Sequence, residues 1–229
     1  MEKNLVIGIE GLVGAGKTSI CKELLNYIPN SIVLHAGNVY RAITYQILKE
    51  QIPFEKLYSI DLKKLFEEFD ISIAIENRES VVYAHGKKIE ETDLQSLENS
   101  MAVSKISNIA NNENAYKIVK EYIDKYKQEY TVIFSGRDTM TIYPDLDYHF
   151  FITADIDKRV KWKASQYDDE EAIKNIKTNI LKRDELQEKS GYYQTYDNTI
   201  VVDVSNSNSV EESTKMVLEN IIKLNYISQ

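Results

Sequence analysis

Short runs of apolar residues recur along the chain, and the longer stretches between them are amphipathic with the apolar spacing of helices. Five such runs predict buried β-strands, at 5–9, 31–35, 131–134, 148–152 and 199–203. Strands that alternate with helices predict an α/β fold, with a five-stranded parallel sheet and helices on both of its faces. In such a sheet ligands bind at the carboxyl ends of the strands, so the residues that follow each strand are the candidates for a site.

The stretch between the second and third runs departs from this alternation. Apolar and polar residues alternate at 71–75, and a second run follows at 81–84, which predicts a half-exposed β-hairpin ending at 85–87. Helical patterns flank the hairpin at about 56–68 and 91–127. The predicted organisation is one domain with a core at 1–53 and 130–229, a hairpin-and-helix insertion at about 54–129 and a helical lid at about 158–190.

A glycine-rich segment joins the first strand to the first helix. It fits the pattern G-x-x-x-x-G-K-[ST], whose glycines let successive backbone N–H groups point at phosphate oxygens. The helix N-terminus adds partial positive charge, Lys17 can reach the β- and γ-phosphates, and the Thr18 hydroxyl can ligate Mg²⁺. We therefore predict that a nucleoside triphosphate binds at Gly11, Leu12, Val13, Gly14, Ala15, Gly16, Lys17, Thr18 and Ser19.

Arginines follow other strands of the predicted sheet. Arg41 lies in the first turns of the helix after the second strand, and Arg137 follows the third strand. Arg159 and Arg183 lie on the helices after the fourth strand. Because guanidinium groups bind phosphate through paired hydrogen bonds, this arrangement predicts a second phosphorylated ligand or a transferring phosphoryl group beside the glycine-rich loop. Each arginine could instead be a solvated surface residue or a partner in a surface ion pair.

Composition and charge narrow the class of partner. The net charge of −8 over 229 residues argues against a nucleic-acid polymer, which requires a basic face, but not against a nucleotide. No apolar run is long enough to span a membrane, and the N-terminal residues lack the pattern of a signal peptide. The single cysteine, Cys21, excludes an internal disulfide bond and suits a reducing compartment. We expect a cytoplasmic protein that binds no membrane, with a monomer favoured.

Several segments of the chain resemble those of bacterial cytidylate (CMP) kinases, in order and in spacing. They are G-L-V-G-A-G-K-T, G-N-V-Y-R-A, S-G-R-D-T-M-T-I-Y-P-D-L-D and K-R-D-E-L. The resemblance covers nearly the whole chain to about Asp203. It implies a P-loop kinase fold that transfers the γ-phosphoryl group of ATP to a nucleoside monophosphate, with CMP or dCMP as the first expectation. It also implies Mg²⁺ as the cofactor and a site that is closed by a mobile lid.

The resemblance assigns roles to individual residues. Lys17, Arg137 and Arg183 are implied to be catalytic, and Arg159 is implied to bind ATP from the lid. Thr18 is the implied metal ligand. Glu10 is implied to orient a metal-bound water, although a carboxylate before this loop can equally cap the loop backbone. The implied acceptor-binding residues are Gly37, Tyr40, Arg41, Arg137 and Asp138.

The acceptor side of the chain departs from the family pattern. Ala36 stands where the family has a hydroxyl residue, and Gln95 stands where an arginine helps to read cytosine. Leu186, Gln187 and Ser190 replace further polar contacts. Two alternatives therefore stay open: a P-loop kinase that acts on the hydroxyl of a non-nucleotide small molecule, and a nucleotide-binding regulatory module without activity. The acceptor base and sugar and the oligomeric state are left open as well.

Overall fold

The structure is a computed structural model that describes residues 3–53, 61–96, 98–100, 102–103, 112–165 and 170–227. Its strands are β1 (Val6–Gly11), β2 (Ser31–His35), β3 (Ser72–Glu76), β4 (Glu79–Ala84), β5 (Lys87–Ile89), β6 (Thr131–Ser135), β7 (Tyr148–Thr153) and β8 (Thr199–Asp203). Its helices are α1 (Lys17–Leu24), α2 (Gly37–Lys49), α3 (Leu62–Glu68), α4 (Glu91–Leu94), α5 (Asn112–Tyr126), α6 (Thr139–Ile142), α7 (Ile156–Ala164), α8 (Glu170–Lys189) and α9 (Val210–Ile227).

The strands predicted from the apolar runs form one parallel sheet in the order β2-β6-β1-β7-β8. The central strand β1 pairs with β6 on one side and with β7 on the other, so that Ile9 lies opposite Phe150. A parallel sheet is covered on both faces, which explains why its central strands are mostly apolar instead of alternating. The α/β prediction is therefore confirmed.

Two apolar clusters cover the two faces of this sheet. One joins the sheet to α2, α3, α5 and the hairpin, and it includes Leu34, Ile43, Ile47, Ile123 and Phe134. The other joins the sheet to α1 and α9, and it includes Ile7, Ile9, Leu24, Phe150 and Val217. Side chains of β1 contribute to both clusters, so the strand that leads into the glycine-rich loop is held from above and below.

The predicted hairpin is present, with β3 antiparallel to β4, and a single parallel bridge from Val33 to Glu79 attaches it to the edge of the sheet. The prediction that it ends at 85–87 is wrong, because the chain turns back into β5. His85 and Gly86 both have positive φ, as a two-residue hairpin turn requires. Parts of the predicted helices at 56–68 and 91–127, and of the predicted lid, lie outside the described residues. In the described part of the chain, no helix is both long enough and apolar enough to cross a bilayer.

Candidate active site

The glycine-rich loop connects β1 to α1, as the sequence predicts. Gly11 has φ of +144°, and a Cβ at this position would lie 2.1 Å from the carbonyl oxygen of Ile152. Only glycine therefore lets β1 pass this close to β7. Gly16 has φ of +82° and immediately precedes the first helical residue, Lys17. The backbone of the loop is thus shaped by glycines at its entrance and at its exit, with the N-terminus of α1 directed at its interior.

Lys17 folds back over the loop. Its Nζ donates hydrogen bonds to the carbonyl oxygens of Gly11 and Leu12, each over 2.8 Å. The neighbouring Thr18 side chain is exposed and makes no hydrogen bond with any residue that the structure describes. An ammonium group and a free hydroxyl therefore stand side by side at the start of α1.

Arginines from two other segments act on this ammonium group, and a third arginine interacts with both of them. Burial and, to a smaller extent, repulsion by Arg137 and Arg183 together lower the pKa of Lys17 to about 8. The pKa of Arg41 is lowered by burial, then by Arg183 and Arg137. The pKa of Arg137 is lowered by burial and then by Arg183. We call Lys17, Arg41, Arg137 and Arg183 the cationic cluster.

The cationic cluster is only weakly compensated. Within the described ranges Arg137 makes no hydrogen bond or ion pair, and its guanidinium carbon lies 5.6 Å from the ring centre of Tyr192. Arg41 is partly engaged, since its Nη1 donates to the carbonyl oxygen of Leu94 over 2.8 Å and to Oγ of Ser100 over 3.1 Å. Such a concentration of positive charge in a protein of net charge −8 creates a local attraction for anions.

Asp138 directly follows Arg137, a member of the cationic cluster. Its φ of +59° places it in the left-handed region, which aspartate tolerates better than most residues. The Tyr116 hydroxyl donates to Oδ2 over 3.0 Å, and the Thr141 hydroxyl donates to Oδ1 over 2.5 Å. Burial raises the pKa of Tyr40 and of Tyr116, and the charge of Asp138 raises both further. Tyrosines from α2 and α5 therefore surround this carboxylate.

Glu10 anchors the turn that carries Arg137 and Asp138. Its Oε1 accepts hydrogen bonds from the backbone N–H of Thr139 over 2.5 Å and from the Thr139 hydroxyl over 2.6 Å. Nε2 of His149 lies 3.1 Å from the same oxygen, and all three residues are buried. This network ties β1 and β7 to the turn after β6. The implied role of Glu10 at a metal-bound water stays a prediction.

Helices α7 and α8 hold the loop at Val13. Nη1 of Arg159 donates to the Val13 carbonyl oxygen over 3.0 Å and forms an ion pair with Asp184. Oδ1 of Asp184 accepts a hydrogen bond from the Val13 N–H over 3.0 Å and another from the Tyr193 hydroxyl over 2.6 Å. Arg159 is only 5% exposed. Its Nη1 is thus committed to the loop and to Asp184, and the expected contact of Arg159 with ATP stays a prediction.

The structure therefore brings most of the predicted site residues to one edge of the sheet. Gly37 and Ser19 are exposed at the first turns of α2 and α1, and Tyr40 lies one turn further along α2. The site residues predicted from the sequence include neither Tyr116 nor His149. No local sequence pattern predicts that either residue lies at the site. Each reaches it through a hydrogen bond to a residue in another segment of the chain.

The glycine-rich loop between a buried strand and a helix, with the cationic cluster beside it, defines the class of this protein as a P-loop phosphotransferase. The family follows from comparison with known proteins. The family model described as cytidylate kinase matches residues 7–225, and the chain belongs to this family.

Individual relatives agree with this assignment. A cytidylate kinase of Clostridium botulinum (strain Loch Maree / Type A3) is 32% identical over 186 residues, which cover 81% of this chain and 78% of the relative. A cytidylate kinase of Aquifex aeolicus (strain VF5) is 30% identical over 225 residues, which cover 95% of this chain and 94% of the relative. The matches extend well beyond the glycine-rich loop, so the loop motif alone does not account for them.

Proposed function

We propose that this protein transfers the γ-phosphoryl group of ATP to a nucleoside monophosphate, with CMP or dCMP as the preferred acceptor, giving ADP and the diphosphate. The observation that carries the proposal is the cationic cluster beside the loop. One phosphorylated ligand would occupy the loop, and the arginines beyond it supply charge for a second. The names of the relatives support cytidine as the nucleoside.

Each member of the cluster takes a distinct part in this reaction. Lys17 exchanges its bonds to loop carbonyls for the β- and γ-phosphates of ATP, and the loop N–H groups hold the same phosphates. Arg137 and Arg41 hold the phosphate of the acceptor. Arg183 stabilises the charge that spreads over the transferring group, and closure of the lid excludes water from it. Catalysis of this kind consists of positioning and electrostatic stabilisation.

A divalent cation is the expected cofactor, and the residues present fit it. The free, exposed hydroxyl of Thr18 directly after Lys17 is a suitable ligand for Mg²⁺ held mainly by phosphate oxygens. Bound Mg²⁺ would neutralise phosphate charge. Glu10 lies at the end of β1 beside the loop, where its second carboxylate oxygen could orient a water of the ion.

The same proposal gives expectations for the partners, the cellular compartment and the oligomeric state of the enzyme. Its substrates are nucleotides and not nucleic-acid polymers, in keeping with the acidic net charge. The chain has one cysteine, Cys21, and so no internal disulfide bond that a reducing compartment such as the cytoplasm could break. A monomer is the expected functional unit.

A panel of acceptors tests the proposal. ADP release is measured in a coupled assay with ATP, Mg²⁺ and each of CMP, dCMP, UMP, AMP and GMP. We expect the highest kcat/KM with CMP or dCMP. Absence of ADP release with every monophosphate would refute the proposal, and release only with a non-nucleotide hydroxyl compound would replace it with the alternative acceptor class.

The lowered pKa of Lys17 predicts how ATP binding depends on pH. In the free protein the ammonium group loses its proton as the pH rises through about 8, and only the charged form attracts the phosphates. We expect the Kd for ATP to increase above pH 8, approaching about tenfold per pH unit. Calorimetric titration between pH 7 and pH 9.5 measures it. Lys17→Arg keeps its charge over this range and serves as the control. A flat profile in the unmodified protein would contradict the prediction.

A further inference from the structure

The hydrogen bond between Tyr116 and Asp138 joins the insertion to the acceptor side of the site. Tyr116 lies on α5 and Asp138 lies on the turn after β6, 22 residues further along the chain. Thr141 satisfies the other carboxylate oxygen from within the turn itself. The Asp138 carboxylate is therefore held at both oxygens, once by its own segment and once by a helix of the insertion.

The surroundings of this carboxylate resemble a site for a flat, polar ring. Arg137 precedes it in the chain and belongs to the cationic cluster, so a phosphate bound there would place its nucleoside nearby. Tyr40 and Tyr192 lie close enough to interact electrostatically with each other, and Asp138 acts on Tyr40 in the same way. Aromatic side chains next to a carboxylate can stack on a base and accept hydrogen bonds from its amino group.

Tyr116 fixes the hydrogen-bonding character of Asp138. A carboxylate that accepts hydrogen bonds from two hydroxyl groups keeps further lone pairs for a ligand but has no proton to donate. Burial and the charge of Asp138 both raise the pKa of Tyr116, so its hydroxyl stays a donor at neutral pH. A base that presents an amino group to Asp138 is then accepted, whereas a base that presents a carbonyl oxygen meets electrostatic repulsion.

We propose that Tyr116 is a positioning residue that sets the base selectivity of the acceptor site, favouring an aminopyrimidine over an oxopyrimidine through Asp138. This inference rests on the proposed function, since it concerns the base of the acceptor monophosphate. It assigns to a tyrosine of the insertion the role of orienting a carboxylate on the core of the protein. The phosphate of the acceptor is bound by other groups, so the inference separates base selectivity from phosphoryl transfer.

Tyr116→Phe tests the inference, because it removes a single hydroxyl group and keeps the ring. CMP and UMP are the probes, since their bases present an amino group and a carbonyl oxygen at the same position. We expect the ratio of kcat/KM for CMP to that for UMP to fall about tenfold, through the KM for CMP, with the KM for ATP unchanged. The matched control is Tyr126→Phe on the same helix, whose hydroxyl donates to the carbonyl oxygen of Ile73 over 3.0 Å, and it should leave the ratio as it is.

A second variant, at Asp138 itself, tests whether the selectivity depends on the carboxylate. Asp138→Asn supplies an amide that can donate to a carbonyl oxygen, and we expect it to shift the ratio further towards UMP than Tyr116→Phe does. An unchanged ratio in Tyr116→Phe, whatever Asp138→Asn does, would show a merely structural role for Tyr116 and overturn the inference while the proposed function stands. An unmodified protein that phosphorylates neither CMP nor UMP would overturn the proposed function and this inference together.

Discussion

Replacing Lys17 with alanine is expected to lower kcat by about a thousandfold, the largest effect of any single substitution in this site. Removing one preorganised donor from a group that carries developing charge typically costs about a hundred- to a thousandfold in kcat. Lys17 combines that role with a full positive charge, and its ammonium group already lies over the loop at Gly11 and Leu12. The neighbouring arginines come from other segments and cannot reproduce its position.

Steady-state ADP release with saturating ATP and acceptor measures this effect. Lys22→Ala is the matched control, because Lys22 lies on the same helix and its ammonium group pairs with Glu79 over 2.7 Å, away from the loop. An exposed pair of this kind contributes about 0.2–1 kcal/mol to stability, so activity should be nearly unchanged in the control. Turnover of Lys17→Ala within tenfold of the unmodified protein would show that the loop is not the catalytic phosphate site.

Replacing Arg137 with alanine is expected to raise the KM for the acceptor about a hundredfold, with a much smaller change in the KM for ATP. A hydrogen bond to a charged group is worth about 1.5–3 kcal/mol, and a guanidinium group can supply two of them to one phosphate. Arg137→Lys keeps the positive charge but cannot donate two parallel hydrogen bonds to one phosphate. Its KM for the acceptor should therefore lie between that of the unmodified protein and that of Arg137→Ala. Initial rates with each substrate varied in turn give both constants.

The stability of Arg137→Ala distinguishes this role from a structural one. Among the described residues Arg137 makes no hydrogen bond or ion pair, and it is repelled by Arg183. Its removal should therefore leave the melting temperature of the free protein unchanged or slightly higher. Equal increases in both KM values, or a clear fall in the melting temperature, would contradict the assignment to the acceptor phosphate.

Much of the fold could be predicted from the hydrophobic pattern, because strands buried on both faces are mostly apolar and do not alternate. The runs at 131–134 and 148–152 are of this kind, and they form β6 and β7. β5 could not be predicted in the same way. It consists of Lys87, Lys88 and Ile89, so a single apolar residue faces the core and no alternation can be recognised.

The candidate site likewise has a part that the sequence predicts and a part that it does not. The glycine-rich loop is a contiguous motif, and Arg41 and Arg137 follow strand ends, so the sequence locates them directly. The contacts that hold the site together join distant residues instead. Glu10 and His149 are 139 residues apart, and Tyr116 and Asp138 are separated by 22. Hydrogen bonds between such pairs depend on the packing of whole elements, and no local pattern of residues records them.

The repulsion within the cationic cluster makes this protein least stable when it is empty. Lys17, Arg137 and Arg183 repel one another in the free protein, and a bound polyphosphate reduces this electrostatic repulsion. A ligand at a hundred times its Kd adds about 2.7 kcal/mol to the free energy of unfolding, a large part of the margin of an ordinary domain. Resistance to proteolysis should therefore follow the supply of nucleotides, so that scarcity of substrate shortens the lifetime of the enzyme itself.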